Sequence, residues 1–382
     1  MSNANIPVTE LKNLFLQDTP FIDVRAPVEF AQGSLPGAVN LPILNDEERA
    51  LIGTTYKQSG QDAAVRLGYQ LISGAVKEER VQRWQSFISA HPQTVLYCFR
   101  GGKRSQITQQ WLKDIGVERP LIVGGYKATR QFLMNEIEAF AKKKSLLVVS
   151  GPTGSGKTDL LKEAAAFYPS IDLEGLAHHR GSAFGSLDSA QPSQIDFENR
   201  LAVTLIKVED KNDLQLRPIV EDESRLIGRV TQPMIFFERL RTSEVLWIDE
   251  PLEVRVENIF KDYIENTDLG MAHSQTARCA EELQILRSQA LRVFEKYKKS
   301  LMSIHRKLGG LRTQEIMADL ETSEHNFLNS NEVLSNKVWI EKLLNYYYDP
   351  LYLGSLERRQ VSVCFKGTKK QALEYLQEAV SR

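Results

Sequence analysis

The feature that most constrains the fold is a strand–loop–helix pattern at residues 146–168. An apolar run from Leu146 to Ser150 leads into Gly-Pro-Thr-Gly-Ser-Gly-Lys-Thr at residues 151–158, and a helical pattern follows it. This is a complete phosphate-binding loop, in which backbone N–H groups cradle an oligophosphate at a helix N-terminus. Such a loop lies at the carboxyl end of a parallel strand, so this part of the chain is predicted to be an α/β fold.

Two side chains of this loop have predicted roles of their own. We expect Lys157 to counter the charge of the terminal phosphate and Thr158 to serve as a ligand of Mg²⁺. The remaining predicted phosphate-binding residues form the loop itself: Gly151, Gly154, Ser155 and Gly156. The pattern leaves the phosphate compound open, and no guanine-specifying Asn-Lys-x-Asp pattern occurs in a suitable place to indicate a GTPase.

Acidic and basic side chains elsewhere are candidates for the same sheet edge. Glu221 and Glu223 follow one apolar run and are favoured over Asp249 and Glu250 as acidic partners of Mg²⁺, although acids at strand ends also simply begin loops. A glycine-rich loop at 175–185 supplies three further candidate substrate contacts: His178, His179 and Arg180. The alternative is a plain solvent-facing loop, and two adjacent histidines without a third ligand predict no metal site.

A second reactive pattern occupies residues 95–105. An apolar run ends at Cys98, and two glycines and the cations Arg100, Lys103 and Arg104 follow before a helical pattern opens. A helix N-terminus and nearby positive charge favour the nucleophilic thiolate form of a cysteine. We therefore predict these four side chains as catalytic residues. A merely structural cysteine, the alternative, needs neither the double glycine nor the clustered cations.

Length and composition set the remaining limits. At 382 residues the chain is too long for one ordinary core, so two domains are expected. The absence of a membrane-length apolar run or signal-peptide pattern, and three widely spaced cysteines, predict a cytoplasmic protein without membrane association. A net charge of −1 excludes a globally basic nucleic-acid binder but leaves room for a local basic face.

The N-terminal third resembles a rhodanese domain. The resemblance rests on Asp23-Val24-Arg25, on the run at 33–42, on the Cys98 loop and on Val-Gly-Gly-Tyr at 123–126, which also predict short parallel strands at 21–25, 38–42, 95–99 and 121–126. It implies that Cys98 carries sulfur or selenium. Two departures are Ser34, where the family often has His, and a Cys98–Arg104 spacing typical of rhodanese-fold phosphatases. Phosphate-ester hydrolysis therefore stays open, although Tyr97 precedes the cysteine and no flanking Asp is placed as general acid.

These patterns together predict the domain organisation. We expect a rhodanese-like parallel-sheet domain at 9–136, a linker at 137–144, a P-loop α/β domain at 145–252 and a mainly helical extension at 253–382. Residues 46–84 are an insertion that reads as a half-buried helical cap or, alternatively, as a lid over the Cys98 loop. In the extension, basic residues at 287–312 and the tyrosines at 346–348 are candidates for RNA contact, or else a solvated face and bundle packing.

Across its whole length the chain is similar to the tRNA 2-selenouridine synthase family. The motifs that carry the similarity are the Cys98 loop, the phosphate loop, the loop at 178–185 and Val-Glu-Asp-Glu-Ser-Arg-Leu-Ile-Gly at 220–228. The resemblance implies a tRNA partner bearing wobble 2-thiouridine, with geranyl diphosphate and selenophosphate as co-substrates, possible Mg²⁺, and an enzyme that supplies selenophosphate. Two rivals remain open: an ATP-dependent tRNA sulfurtransferase and a non-enzymatic sulfur-relay module.

Overall fold

The computed structural model describes residues 5–179, 184, 190–212, 216–274, 280–352 and 362–381. The chain forms two compact units. The first comprises residues 1–143, 191–212 and 229–236, and the second comprises residues 144–190, 213–228 and 237–382. This division differs from the predicted one at the linker and within the P-loop domain. The predicted linker at 137–144 continues a helix as far as Lys143, and the segments 191–212 and 229–236 belong to the first unit.

The regular elements are numbered in chain order. The strands are β1 (Phe21–Asp23), β2 (Ala38–Asn40), β3 (Val95–Tyr97), β4 (Leu147–Ser150), β5 (Ser170–Ile171), β6 (Ile219–Glu221), β7 (Leu226–Ile227), β8 (Val230–Thr231), β9 (Glu244–Ile248) and β10 (Val363–Gly367). The helices are α1 (Leu11–Leu16), α2 (Pro27–Gln32), α3 (Asp46–Leu71), α4 (Gly74–Ala90), α5 (Lys103–Asp114), α6 (Gly125–Lys143), α7 (Lys157–Ala164), α8 (Leu173–Ala177), α9 (Gln194–Asp210), α10 (Met234–Arg241), α11 (Leu252–Phe260), α12 (Asp268–Ser274), α13 (Ala280–Leu308), α14 (Gly310–Ser330), α15 (Asn336–Leu343) and α16 (Lys369–Ser381).

The first unit is built on a parallel sheet in the order β2-β1-β3, which confirms the predicted sheet. Its core lies between this sheet and the helices α4 and α5, where Trp84 stacks on Trp111 with ring centroids 6.2 Å apart. The strand predicted at 121–126 is wrong in extent. Only Leu121 and Ile122 make parallel bridges, and α6 already begins at Gly125, whose φ of +57° turns the chain.

The second unit is built on a parallel sheet in the order β10-β9-β4-β6-β5. Because β4 lies at its centre, the loop after β4 opens at the middle of the sheet's carboxyl edge. Strand β5 ends at Ile171, since Asp172 caps α8 by accepting a hydrogen bond from the Gly175 amide at 2.7 Å.

The C-terminal extension is mainly helical, as predicted, but it also completes the sheet. Strand β10 pairs with β9, and α16 packs on the same core through Ala372 and Leu376. The other helices of the extension enclose a separate apolar core, whose buried members include Phe294, Trp339, Tyr347 and Tyr348. These two tyrosines therefore pack the helical bundle.

Candidate active sites

Cys98 lies in the loop between β3 and α5. Its thiol is buried, with Sγ 3.2 Å from the Ser105 hydroxyl and 3.9 Å from the Gly102 carbonyl oxygen. The loop is fixed by the first turn of α6, because the Tyr126 amide donates to the Cys98 carbonyl at 2.8 Å. A Cβ at Gly125 would lie 2.3 Å from that same carbonyl oxygen, so only glycine permits this approach. The backbone thus holds the sulfur at a helix N-terminus.

The three predicted cations lie around the same cavity as Cys98. Arg100 and Lys103 are exposed, whereas Arg104 forms an ion pair with Glu29, with an Nη2–Oε1 distance of 3.1 Å. Burial acts to raise the pKa of Glu29, but the hydrogen bond and charge of Arg104 outweigh it, so this pKa lies below the ordinary value of 4.5. Arg104 is therefore oriented by a partner that stays ionised at neutral pH.

The cavity above Cys98 has a volume of 630 Å³. Its walls come from the Cys98 loop, α5 and α3, and the α3 residues are Ile52, Tyr56, Gln61, Ala64, Val65, Gly68 and Tyr69. The inserted segment 46–84 is helical, as predicted, and comprises α3 and most of α4. Because α3 forms a wall of the Cys98 cavity, the insertion is part of the site rather than a remote cap.

Three residues of the rhodanese-like motifs have structural partners in the first unit. Arg25 and Asp23 form a buried ion pair at 2.6 Å, and the Arg25 guanidinium also donates to the Gly33 carbonyl at 2.8 Å. Ser34 binds α9, since its amide and hydroxyl donate to the Asp196 carboxylate at 2.8 and 3.2 Å. Sequence reasoning did not foresee this contact, because 162 positions separate the two residues and no local pattern signals the pairing.

The phosphate loop connects β4 to α7, as predicted. The Lys157 ammonium donates to the carbonyls of Gly151 and Pro152 at 2.9 and 3.3 Å, and the Ser155 hydroxyl is buried with no hydrogen-bond partner among the described residues. Gly154 has a φ of +85°, and a Cβ there would lie 2.7 Å from the Arg255 carbonyl oxygen. The loop therefore packs too closely on α11 to accept a side chain at that position.

Acidic side chains surround the end of this loop. The Thr158 hydroxyl donates to Glu174 at 3.1 Å, and the Glu174 amide donates to Glu221 at 3.1 Å. Burial and the neighbouring Glu174 raise the pKa of Glu221 to about 8, and burial and Glu174 likewise raise the pKa of Glu223 well above 4.5. Burial acts to lower the pKa of Lys157, but Tyr352 and the nearby carboxylates outweigh it and raise this pKa.

The structure brings most of the predicted second-unit residues together. A cavity of 330 Å³ is lined by Gly154, Gly156, Lys157, Thr158, His178, His179 and Glu223, while Arg180 lies outside the described residues. Glu221 is buried beside this cavity and does not line it. Asp249 and Glu250 instead contact the end of β10 and the start of α16. Asp249 pairs with Lys366 at 3.1 Å, and Glu250 accepts a hydrogen bond from the Lys369 amide at 2.7 Å.

Several residues of this site were missed by sequence reasoning. Arg255 pairs with Asp349 at 2.7 Å and donates to the Thr153 carbonyl at 3.3 Å, and Asn258 donates to the Gly154 carbonyl at 2.8 Å. Tyr352 lies with its ring centroid 5.1 Å from the Lys157 nitrogen. They come from helices of the extension, whose sequence pattern shows amphipathic periodicity but not which loop each helix supports.

The described residues contain neither a metal-binding cluster nor a membrane-spanning helix. Over the described ranges, no cluster of three or more His, Cys, Asp or Glu side chains is arranged to hold a metal ion. The nearest fit to the expected Mg²⁺ is Thr158 with Glu221, whose Oε1 is buried and lacks a partner in the described part of the chain. None of the described helices combines the length and hydropathy of a membrane span.

Comparisons with known proteins cover both units. A family model described as the tRNA 2-selenouridine synthase AAA domain matches residues 144–382, and one described as the rhodanese-like domain matches residues 7–131. A tRNA 2-selenouridine synthase of Bdellovibrio bacteriovorus is 60% identical over 98% of this chain and 99% of the relative. Proteins of the same name from Nitrosomonas eutropha and Pseudomonas syringae pv. syringae are 60% and 43% identical, over 98% and 97% of both chains. The chain therefore belongs to the tRNA 2-selenouridine synthase family.

Proposed function

We propose that this chain replaces the sulfur of the wobble 2-thiouridine in tRNA by selenium, in two reactions at two sites. Membership of the family supports the modification of tRNA. The observation that carries the two-site proposal is the presence in one chain of Cys98 in a cation-lined cavity and of Lys157 in a polar phosphate-loop cavity. Each site suits one half of the chemistry.

The first reaction is S-geranylation at the phosphate loop. The thiouridine sulfur attacks C1 of geranyl diphosphate, so that a carbon–sulfur bond forms, the carbon–oxygen bond breaks, diphosphate leaves and the base loses its N3 proton. Lys157 and the loop amides stabilise the charge of the departing diphosphate, which requires no nucleotide hydrolysis. Thr158 would hold Mg²⁺, and the ion would supply further positive charge for the same leaving group.

The second reaction is selenation at the Cys98 loop. Alkylation makes the sulfur a good leaving group, so selenium of selenophosphate attacks C2 of the base, and the geranylthiolate leaves and takes up a proton. Water then cleaves the selenium–phosphorus bond and releases phosphate, with selenium at the oxidation level of selenide throughout. Arg100, Lys103 and Arg104 hold the anionic donor. The Cys98 thiol lies in the same cavity, and it supplies the proton that the departing geranylthiolate takes up. A role for Cys98 as a selenium carrier stays a prediction, because selenium bound to its sulfur needs a thiol reductant to leave as selenide.

The test is the product that each single-site variant accumulates. Purified Cys98→Ala and Lys157→Ala proteins are incubated with thiolated tRNA, geranyl diphosphate and selenophosphate, and the digested tRNA is analysed by mass spectrometry. We expect Cys98→Ala to accumulate the geranylated nucleoside and Lys157→Ala to leave the thionucleoside unchanged. Cys364→Ala and Lys370→Ala are the matched controls, since both residues lie away from the two cavities.

The same variants, with ATP turnover measured in addition, separate this proposal from its two rivals. Normal selenouridine from both active-site variants contradicts the proposal. ATP turnover that depends on Lys157 favours an ATP-dependent sulfurtransferase, and full function of Lys157→Ala favours a sulfur-relay module with a silent phosphate loop.

A further inference from the structure

The cavity above Cys98 is more apolar than an anionic selenium donor requires. Its cations are confined to the loop and the start of α5. Apart from Gln61 and Gln106, the rest of the wall is mainly apolar and aromatic, and it includes Ile52, Tyr56, Val65, Tyr69, Ile107 and Trp111. Its 630 Å³ falls within the range of about 300–1,000 Å³ that accommodates an organic ligand of moderate size. A second, hydrocarbon-containing ligand group would account for this wall.

Helix α3 shows the same preference for an apolar ligand. It is described throughout its 26 residues, yet Ala64 is its only fully buried side chain. Tyr56 and Tyr69 are 56% and 49% exposed, and Phe99 in the facing loop is 38% exposed. Large side chains left open around one cavity are typical of a binding surface rather than of a folding core. The apolar side chains of α3 therefore line the cavity, and few of them are buried in the folding core.

We propose that this cavity binds the ten-carbon prenyl chain that the base carries on its sulfur after alkylation. This inference rests on the proposed function and adds the site of the leaving group. The chain lies against α3 and α5, the cations at the Cys98 loop hold the selenium donor, and the prenyl thiol departs along the apolar wall. The phosphate-loop cavity suits the diphosphate head instead, since Lys157, Lys162 and the Thr158 hydroxyl line it.

The test measures binding, so that it does not depend on turnover. Anticodon stem-loop RNAs carrying S-geranyl, S-dimethylallyl or S-methyl 2-thiouridine are titrated with the full-length protein and followed by fluorescence anisotropy. Burial of each methylene strengthens binding by up to about fourfold. We expect the geranyl RNA to bind at least about tenfold more tightly than the methyl RNA, with the dimethylallyl RNA between them.

Two neighbouring residues of α3 provide a matched pair of variants. Ile52 lines the cavity, whereas Leu51 does not and is 49% exposed. We expect Ile52→Trp to fill the cavity and weaken geranyl RNA binding by about tenfold or more, with methyl RNA binding within about twofold of wild type. Leu51→Trp should behave as wild type. Val65→Phe is a second filling variant, and thermal melting by circular dichroism establishes that each protein is folded.

Each outcome decides one question. Equal affinity of the wild type for geranyl and methyl RNA, or equal behaviour of folded Ile52→Trp and Leu51→Trp, overturns the inference. A matched fall in geranylation by Ile52→Trp also overturns it, because the cavity would then serve the chain of geranyl diphosphate. If the chain-length preference holds but the wild type cannot convert geranyl RNA with selenophosphate, the cavity assignment stands and the proposed function fails.

Discussion

The two cavities have the same strand–loop–helix arrangement but differ in the side chains that line them. In each, a parallel strand leads through a glycine-containing loop into a helix, from β3 to α5 around Cys98 and from β4 to α7 around Lys157. The first cavity measures 630 Å³ and has apolar walls with cations at one end, whereas the second measures 330 Å³ and is lined mostly by polar and charged side chains.

Under the proposed function, each loop binds an anion, and the surrounding helices determine which other groups bind beside it. At Cys98 the surrounding helix is α3, which contributes apolar and aromatic side chains to the cavity wall. At the phosphate loop the added elements are α8 and the strand end after β6, which bring Glu174 and Glu223. Their carboxylates, together with the buried Glu221, create an acidic environment in which protonation varies with pH.

The largest effect we expect concerns the buried ion pairs of the two units. Asp23→Ala leaves the Arg25 charge buried without its partner, so the free energy of unfolding should fall by about 3–5 kcal/mol. Asp349→Ala should cost less, because the Asp349 side chain is 24% exposed and water can replace it beside Arg255. Urea unfolding of both variants measures the difference, and a larger loss for Asp349→Ala would contradict this ranking.

The second effect is selective for one reaction. Under the proposed function, Lys157→Ala removes the main positive charge at the departing diphosphate, so geranylation should slow by about 10²–10³-fold. Selenation of RNA that is already geranylated should be unchanged, as measured in single-turnover reactions with selenophosphate. Lys370→Ala, which removes an exposed lysine of the same unit, is the control. An equal loss in both reactions would mean that the two sites do not act separately.

The third effect is on stability as a function of pH. Glu221 has a pKa of about 8 when folded and about 4.5 when unfolded, so its protonation stabilises the folded state fully below pH 4.5, and this contribution is lost as pH rises to about 8. Each unit of pKa corresponds to about 1.4 kcal/mol. We expect the unfolding free energy of wild type to fall by about 1–3 kcal/mol relative to Glu221→Gln between pH 5 and 7. Parallel curves for the two proteins would contradict it.

The smallest effect concerns the cation that Glu29 orients. Under the proposed function, Arg104→Gln removes one charge-assisted contact to the selenium donor, so the KM for selenophosphate should rise about tenfold while geranylation is unchanged. Arg49→Gln is a close control, because Arg49 also approaches Glu29, at 3.7 Å, but does not line the cavity. The same rise in KM for both variants would show that the effect comes from Glu29 rather than from the donor site.

Local patterns predicted the two loops well, because strand, glycine and helix signals lie next to one another in the chain. The Cys98 loop and the phosphate loop each connect the strand and the helix that the sequence predicts. The run at 121–126 was misread, since its apolar residues suggest a strand while its two glycines turn the chain into α6. An apolar run indicates that a segment is buried, but it does not give the backbone conformation of the two glycines that follow. That conformation depends on the residues packed around them.

Contacts between residues that are far apart in the chain could not be predicted from the sequence. The pairing of Ser34 with Asp196, the completion of the sheet by β10 and the support of the phosphate loop by Arg255 all join residues about a hundred or more positions apart. The apolar cavity was likewise not predicted, although the insertion that forms its wall was recognised as helical. Which side of α3 meets which loop depends on packing that one sequence does not encode locally.

The most direct test of the central claim is a relay between two inactive variants. Thiolated tRNA is treated with Cys98→Ala and geranyl diphosphate, repurified, and then given to Lys157→Ala with selenophosphate. If each site performs its own reaction, the first protein yields geranylated tRNA and the second converts it to selenouridine, although neither variant makes selenouridine alone. Failure of Lys157→Ala to convert the geranylated tRNA, while the wild type does so, would contradict the account.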